Sequence, residues 1–66
     1  MSQIPNALLS VAVSWLEAAL EADLKRVEAV AHDYKRVAFY WEESRNFSQR
    51  VAAFYEQAAR ATTMRY

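Results

Sequence analysis

Residues 9–41, LSVAVSWLEAALEADLKRVEAVAHDYKRVAFYW, carry the pattern that decides the fold. Within them Leu9, Val13, Leu16, Leu20, Leu24, Val27, Ala31, Tyr34, Ala38 and Trp41 recur at steps of three and four. That spacing keeps side chains on one face of an α-helix. Neither glycine nor proline interrupts the run. The spacing predicts a first helix over about 5–42, opened by Pro5 in its first turn or capped one residue later by Asn6.

Beyond Trp41 the stripe changes face. Continuing the old one would land on Arg45 and Ser48, whereas Phe47, Val51, Phe54, Ala58 and Ala61 form a fresh stripe. Asn46 followed by Gln49 has the form of a weak capping box, and Ser44 and Asn46 suit a turn. The expected connection is therefore at 43–46, with a short second helix over about 47–63. Two other readings exist: a break at Ala31–Tyr34 with Asp33 as cap, and a single unbroken helix. Residues 1–4 and 62–66 are expected to be loose ends.

The composition supports an all-α chain. Glycine is absent, Pro5 is the single proline, and good helix formers dominate. Sixty-six residues make one domain, 1–66. A core of that size is marginal without disulfides, metals or association. There is no cysteine and only one histidine, which leaves association. The expected fold is thus a helical hairpin that pairs, coiled-coil fashion, into a dimeric four-helix arrangement.

The pairing argument is geometric. A short second helix reaches only the far half of the first, so the stripe from Leu9 to Leu20 is left open. Large apolar side chains in water forfeit roughly 1.5–3 kcal/mol each. Leu9, Val13, Leu16 and Leu20, with Trp15 beside them, are the predicted self-association residues.

Charge is divided along the chain. Residues 1–33 hold five acids (Glu17, Glu21, Asp23, Glu28, Asp33) against Lys25 and Arg26, net −3. Residues 34–66 hold Lys35, Arg36, Arg45, Arg50, Arg60 and Arg65 against Glu42, Glu43 and Glu56, net +3. Opposite halves favour folding back or pairing with a copy. Expected same-helix ion pairs are Glu21–Lys25, Asp23–Arg26 and Glu56–Arg60.

No set of side chains suggests catalysis. Asp33 follows His32, but neighbours on a helix point about 100° apart. A half-exposed His32 paired with Glu28 accounts for it. Glu17, Glu21 and Glu28 share a face, but one histidine does not make the Glu-x-x-His set of a di-metal bundle. No cofactor or metal is expected, and no enzyme.

The cluster Tyr34, Lys35, Arg36, Phe39, Tyr40 and Trp41 is different. Aromatics and arginine are enriched in binding hot spots. Tyr34 and Trp41 fit the core, and Arg36 and Tyr40 can stack. Phe39 and Tyr40 either cover the second helix, meeting Phe47 and Phe54, or face a partner together with Arg36, Arg45 and Arg50. The functional expectation is a non-enzymatic module that self-associates and binds another protein to modulate it, of adaptor, co-chaperone or inhibitor type. The alternative is a small nucleic-acid-binding regulator using the basic, aromatic C-terminal half. Zero net charge argues against that. The uncharged run Ser2–Leu16 is too short for a membrane span and lacks a basic leader, so a cytoplasmic home is expected.

Overall fold

The computed structural model describes residues 6–64, with side chains through Thr62. Pro5 and the loose ends expected at 1–4 and 65–66 lie outside these residues. Two helices, α1 (Asn6–Ala31) and α2 (Lys35–Met64), pack against each other as a hairpin. Thr62, expected to be loose, is held in α2, its Oγ1 donating to the Ala58 carbonyl at 2.9 Å.

The chain reverses at His32–Tyr34, not at 43–46. Residues 43–46 lie inside α2, so the expected helices over 5–42 and 47–63 are replaced by two of nearly equal length, 26 and 30 residues. The turn is a Schellman motif. Asp33 takes the left-handed conformation with φ 66°. The Tyr34 N–H then donates to the Ala29 carbonyl at 2.7 Å and the Asp33 N–H to the Val30 carbonyl at 2.9 Å, satisfying carbonyls the helix end leaves free. The Tyr34 carbonyl in turn accepts from the Ala38 N–H at 2.8 Å, which opens α2. Glycine is the usual residue at the left-handed position, and aspartate is one of the few others that tolerate it. The apolar stripe hides the turn, because Ala31, Tyr34 and Ala38 happen to continue its spacing across the break.

The helices meet along an unexpected face. On α1 the seam is Leu8, Ala12, Trp15, Ala19, Ala22, Arg26 and Ala29. On α2 it is Ala38, Trp41, Arg45, Ser48, Ala52, Tyr55 and Ala59. All are buried or half-buried, and the buried apolar residues are alanines without exception among the described residues. Both series step strictly by three and four, the heptad spacing of a coiled coil. Small residues let the backbones approach closely. The Cα trace spans 51 × 13 × 11 Å. Subtracting two Cα radii of about 2.3 Å from the 13 Å width leaves roughly 8 Å between axes, the near limit of helix packing. The radius of gyration, 15.2 Å, exceeds the roughly 11 Å of a compact domain this long. The molecule is a two-helix rod.

Polar groups punctuate the seam. Arg26 and Arg45 come from opposite helices and converge on Asp23. Arg26 Nε and one terminal nitrogen each lie 3.4 Å from Asp23 Oδ1, and Arg45 Nε lies 3.9 Å from the same oxygen. Arg45 Nε is cut off from solvent with no hydrogen-bond partner. Its compensation is the carboxylate's charge. A slip of one heptad would move Arg45 about 10 Å along the rod and leave a buried cation without a counter-charge. The cluster therefore favours the observed register.

Candidate interaction surface

The stripe read in the sequence faces outward. Val13, Leu16, Leu20, Leu24 and Val27 are exposed, Leu20 and Leu24 at 66% and 70%, while Leu9 is half-buried. Leu16 and Leu20 are thus uncovered, but for a different reason from the one expected. The second helix is the longer of the two and runs the length of the first. It packs on the alanine face and leaves the leucine face outside. Leu24 and Val27, which a short return helix was expected to cover, are exposed too.

Apart from Leu24, which lies on the face away from the seam, these residues form a row in which each directly follows a seam residue: Leu9, Val13, Leu16, Leu20, Asp23, Val27 and Val30. Asp23 is the one charge in this row. The groove beside it is lined by Leu16, Ala19, Leu20 and Asp23 of α1 with Arg45 and Gln49 of α2. Trp15, grouped with the self-association residues, belongs to the seam, where its ring meets Phe47 edge-on at 5.8 Å.

The α2 helix carries a second row, each residue directly preceding a seam residue: Val37, Tyr40, Ser44, Phe47, Val51, Phe54 and Ala58. Val37, Tyr40, Phe47 and Phe54 are exposed, Phe54 at 65%. The stripe Phe47–Val51–Phe54–Ala58 lies at the flank of the contact, with Phe47 and Phe54 exposed and Val51 and Ala58 half-buried, while Ala52, Tyr55 and Ala59 sit in the seam itself. Phe39 and Tyr40 share a helix with Phe47 and Phe54, so they do not meet them across the hairpin. Tyr40 leans edge-on against Trp41 at 5.1 Å. Trp41 is half-buried in the seam, whereas Tyr34 is exposed at the turn and not in the core.

The expected partner residues divide. Arg36, Phe39, Tyr40 and Arg50 are all exposed on α2. Arg50 lines a shallow outward hollow with Glu43, Asn46, Gln49 and Ala53. Arg45 stands apart from them, in the seam against Asp23. Of the other ion pairs, Arg60 lies 3.4 Å from Glu56, and Lys25 is placed toward Glu28 at 3.9 Å, where Glu21 was expected. The His32 backbone N–H donates to the Glu28 carbonyl at 3.1 Å, a helix-end bond and not the expected side-chain pair, and the imidazole stacks on Tyr34 with centroids 6.2 Å apart. Glu17, Glu21 and Glu28 gather no metal-binding group; among the described residues, no three His, Asp or Glu side chains do. No helix among them is long and apolar enough to cross a membrane.

A signal for the true seam was present in the sequence. Ala38, Ala52 and Ala59 are spaced by multiples of seven, as are Ala12 with Ala19 and Ala22 with Ala29. Small residues at heptad spacing mark a close helix contact as clearly as large ones. Comparison with protein-family models, with curated proteins and with solved structures finds no match.

Proposed function

We propose that this protein is a non-enzymatic interaction module that self-associates and engages another protein to modulate it. One observation carries the reading. Among the described residues the hairpin fully buries only alanines of its apolar side chains, and it keeps Val13, Leu16, Leu20, Leu24, Val27, Phe47 and Phe54 outside. Single cores in chains of this size rarely supply more than about 3–5 kcal/mol, and a seam of small side chains supplies less apolar area than most. Covering the outward rows adds roughly 1.5–3 kcal/mol for each large side chain taken from water. Two hairpins side by side, a four-helix arrangement, form the smallest assembly that covers any part of them. The exposed ridge of Arg36, Phe39 and Arg50 on α2, with Tyr40 beside it, is the surface offered to a different protein.

Light scattering coupled to size exclusion tests the first half across a dilution series. The expected mass exceeds that of the 7.6 kDa chain at tens of micromolar and falls toward it on dilution. A well-folded monomer at every concentration would remove the self-association reading. For the second half, wild-type protein is expected to retain a partner that both Arg36→Ala and Tyr40→Ala lose.

A further inference from the structure

We infer that copies of this chain join head to tail, the outer row of α1 on one copy seating against the outer row of α2 on the next. The inference rests on the self-association reading above and specifies its geometry.

The two rows lie on opposite flanks of the rod. Successive residues rotate about 100° around a helix. Viewed from one end, the antiparallel helices advance in opposite senses, so a step forward from the seam reaches the same flank on both. The α1 row lies one step forward of the seam (Leu9, Val13, Leu16, Leu20, Val27, Val30). The α2 row lies one step back (Val37, Tyr40, Phe47, Val51, Phe54, Ala58). They therefore face opposite ways. The surroundings agree: Leu16 and Leu20 share their groove with Gln49 of α2, whereas Val37 shares its hollow with Lys25, Glu28 and His32 at the other flank.

This placement restricts how copies can pair. A two-fold contact of α1 on α1 buries both α1 rows and leaves both α2 rows in water. A contact of α2 on α2 does the reverse. Only α1 on α2 uses one row of each kind at every contact and leaves one of each free for the next copy. Such heterologous contacts grow into open stacks or close into rings.

Charge selects the same mode. α1 holds Glu17, Glu21, Asp23 and Glu28 against Lys25 and Arg26, net −2. α2 holds Lys35, Arg36, Arg45, Arg50 and Arg60 against Glu42, Glu43 and Glu56, net +2. Like helices repel and unlike helices attract. Locally, Glu17 and Asp23 border or interrupt the α1 row, and Arg36 and Arg50, with Glu43 between them, border the α2 row. Shape fits as well: branched aliphatics on one row meet aromatic rings on the other. A stable interface buries about 1,200 Å² or more in total, roughly 600 Å² from each copy.

The test uses two full-length variants. Leu20→Glu blocks the α1 row and Phe54→Glu blocks the α2 row. Both sites are exposed, so far-UV circular dichroism is expected to show wild-type helicity; if either variant unfolds, Val13→Glu and Tyr40→Glu replace them. Each variant alone is expected to sediment as a monomer. Mixed one to one, they are expected to form a discrete species of twice the chain mass, through the one intact row on each. A dimer of Phe54→Glu alone would show α1 pairing with α1, and a dimer of Leu20→Glu alone would show α2 pairing with α2; either overturns the head-to-tail mode. A mixture that stays monomeric while wild type associates also overturns it. Wild type that never associates defeats the underlying reading instead, so the two failures are distinguishable.

Discussion

Asp33 holds the reversal of the chain in one backbone conformation. A non-glycine residue in the left-handed region carries a cost of order 1 kcal/mol, partly offset here by the local hydrogen bonding open to aspartate. Asp33→Gly removes that cost but loosens the unfolded chain by a comparable amount, so stability is expected to change by under about 0.5 kcal/mol. Asp33→Val is expected to lose about 1–2 kcal/mol, because a β-branched side chain is poorly tolerated there. Thermal melts followed by circular dichroism read both; equal melting temperatures for the three chains would contradict the turn described. The Asp23 cluster makes an asymmetric prediction. Asp23→Ala leaves Arg26 and Arg45 facing one another without their shared carboxylate, at an expected cost of about 1–2 kcal/mol. Arg45→Met substitutes an apolar chain of similar length for a half-buried cation. Exchanging buried ion pairs for packed apolar groups is often neutral or better, so its melting temperature is expected to stay level or rise. Equal destabilisation by the two would mean that Arg45 contributes mainly through its charge.

Between the helices, side-chain size decides which face is inside. Leucine gains more than alanine on leaving water, and on that ground the leucine stripe is the natural candidate for the hairpin contact. Two helices alone, however, cover only a narrow strip of each other, and alanine lets that strip close to roughly 8 Å. Enlarging the strip is expected to be harmful: Ala52→Leu forces the axes apart and costs about 1–3 kcal/mol. Leu20→Ala, at a site 66% exposed, is expected to change the stability of the dilute hairpin by under about 0.5 kcal/mol while weakening association. Urea titrations of the two variants at low micromolar concentration separate the faces, and a larger loss for Leu20→Ala would reverse their assignment. The same competition explains what the sequence made legible. The α-class and the hairpin follow from periodicity and the absence of glycine, whereas Leu16 and Leu20 are exposed because the helices meet on the alanine face and not because the return helix is short. The seam does not follow, because periodicity places several apolar faces on one helix without ranking them, and hydrophobicity ranks them the wrong way here. The turn was legible only as the weaker reading, a break at Ala31–Tyr34 with Asp33 as cap, since its signal is one backbone angle at Asp33 rather than glycine or a lapse in the stripe. Residues 43–46 looked like a turn because their polar groups cluster, yet they sit within a helix whose other faces are apolar.

For the molecule as a whole, the proposed self-association would couple folding to assembly. A rod that buries mainly alanine is marginal alone, and a contact made only by folded hairpins raises the stability of every copy that joins. Its melting temperature is therefore expected to climb with chain concentration. Salt then distinguishes the pairing by sign. Raising sodium chloride from about 10 mM to about 100 mM shortens the Debye length from roughly 30 Å to roughly 10 Å. If α1 at net −2 sits on α2 at net +2, screening removes an attraction, and the average mass in sedimentation is expected to fall as salt is added. If like helices sit together, screening removes a repulsion, and the mass would rise. The apolar part of the contact changes little over this range, so the direction of the shift reports which helices touch. A rise would require an isologous pair, leaving one apolar row of every copy open to a different partner.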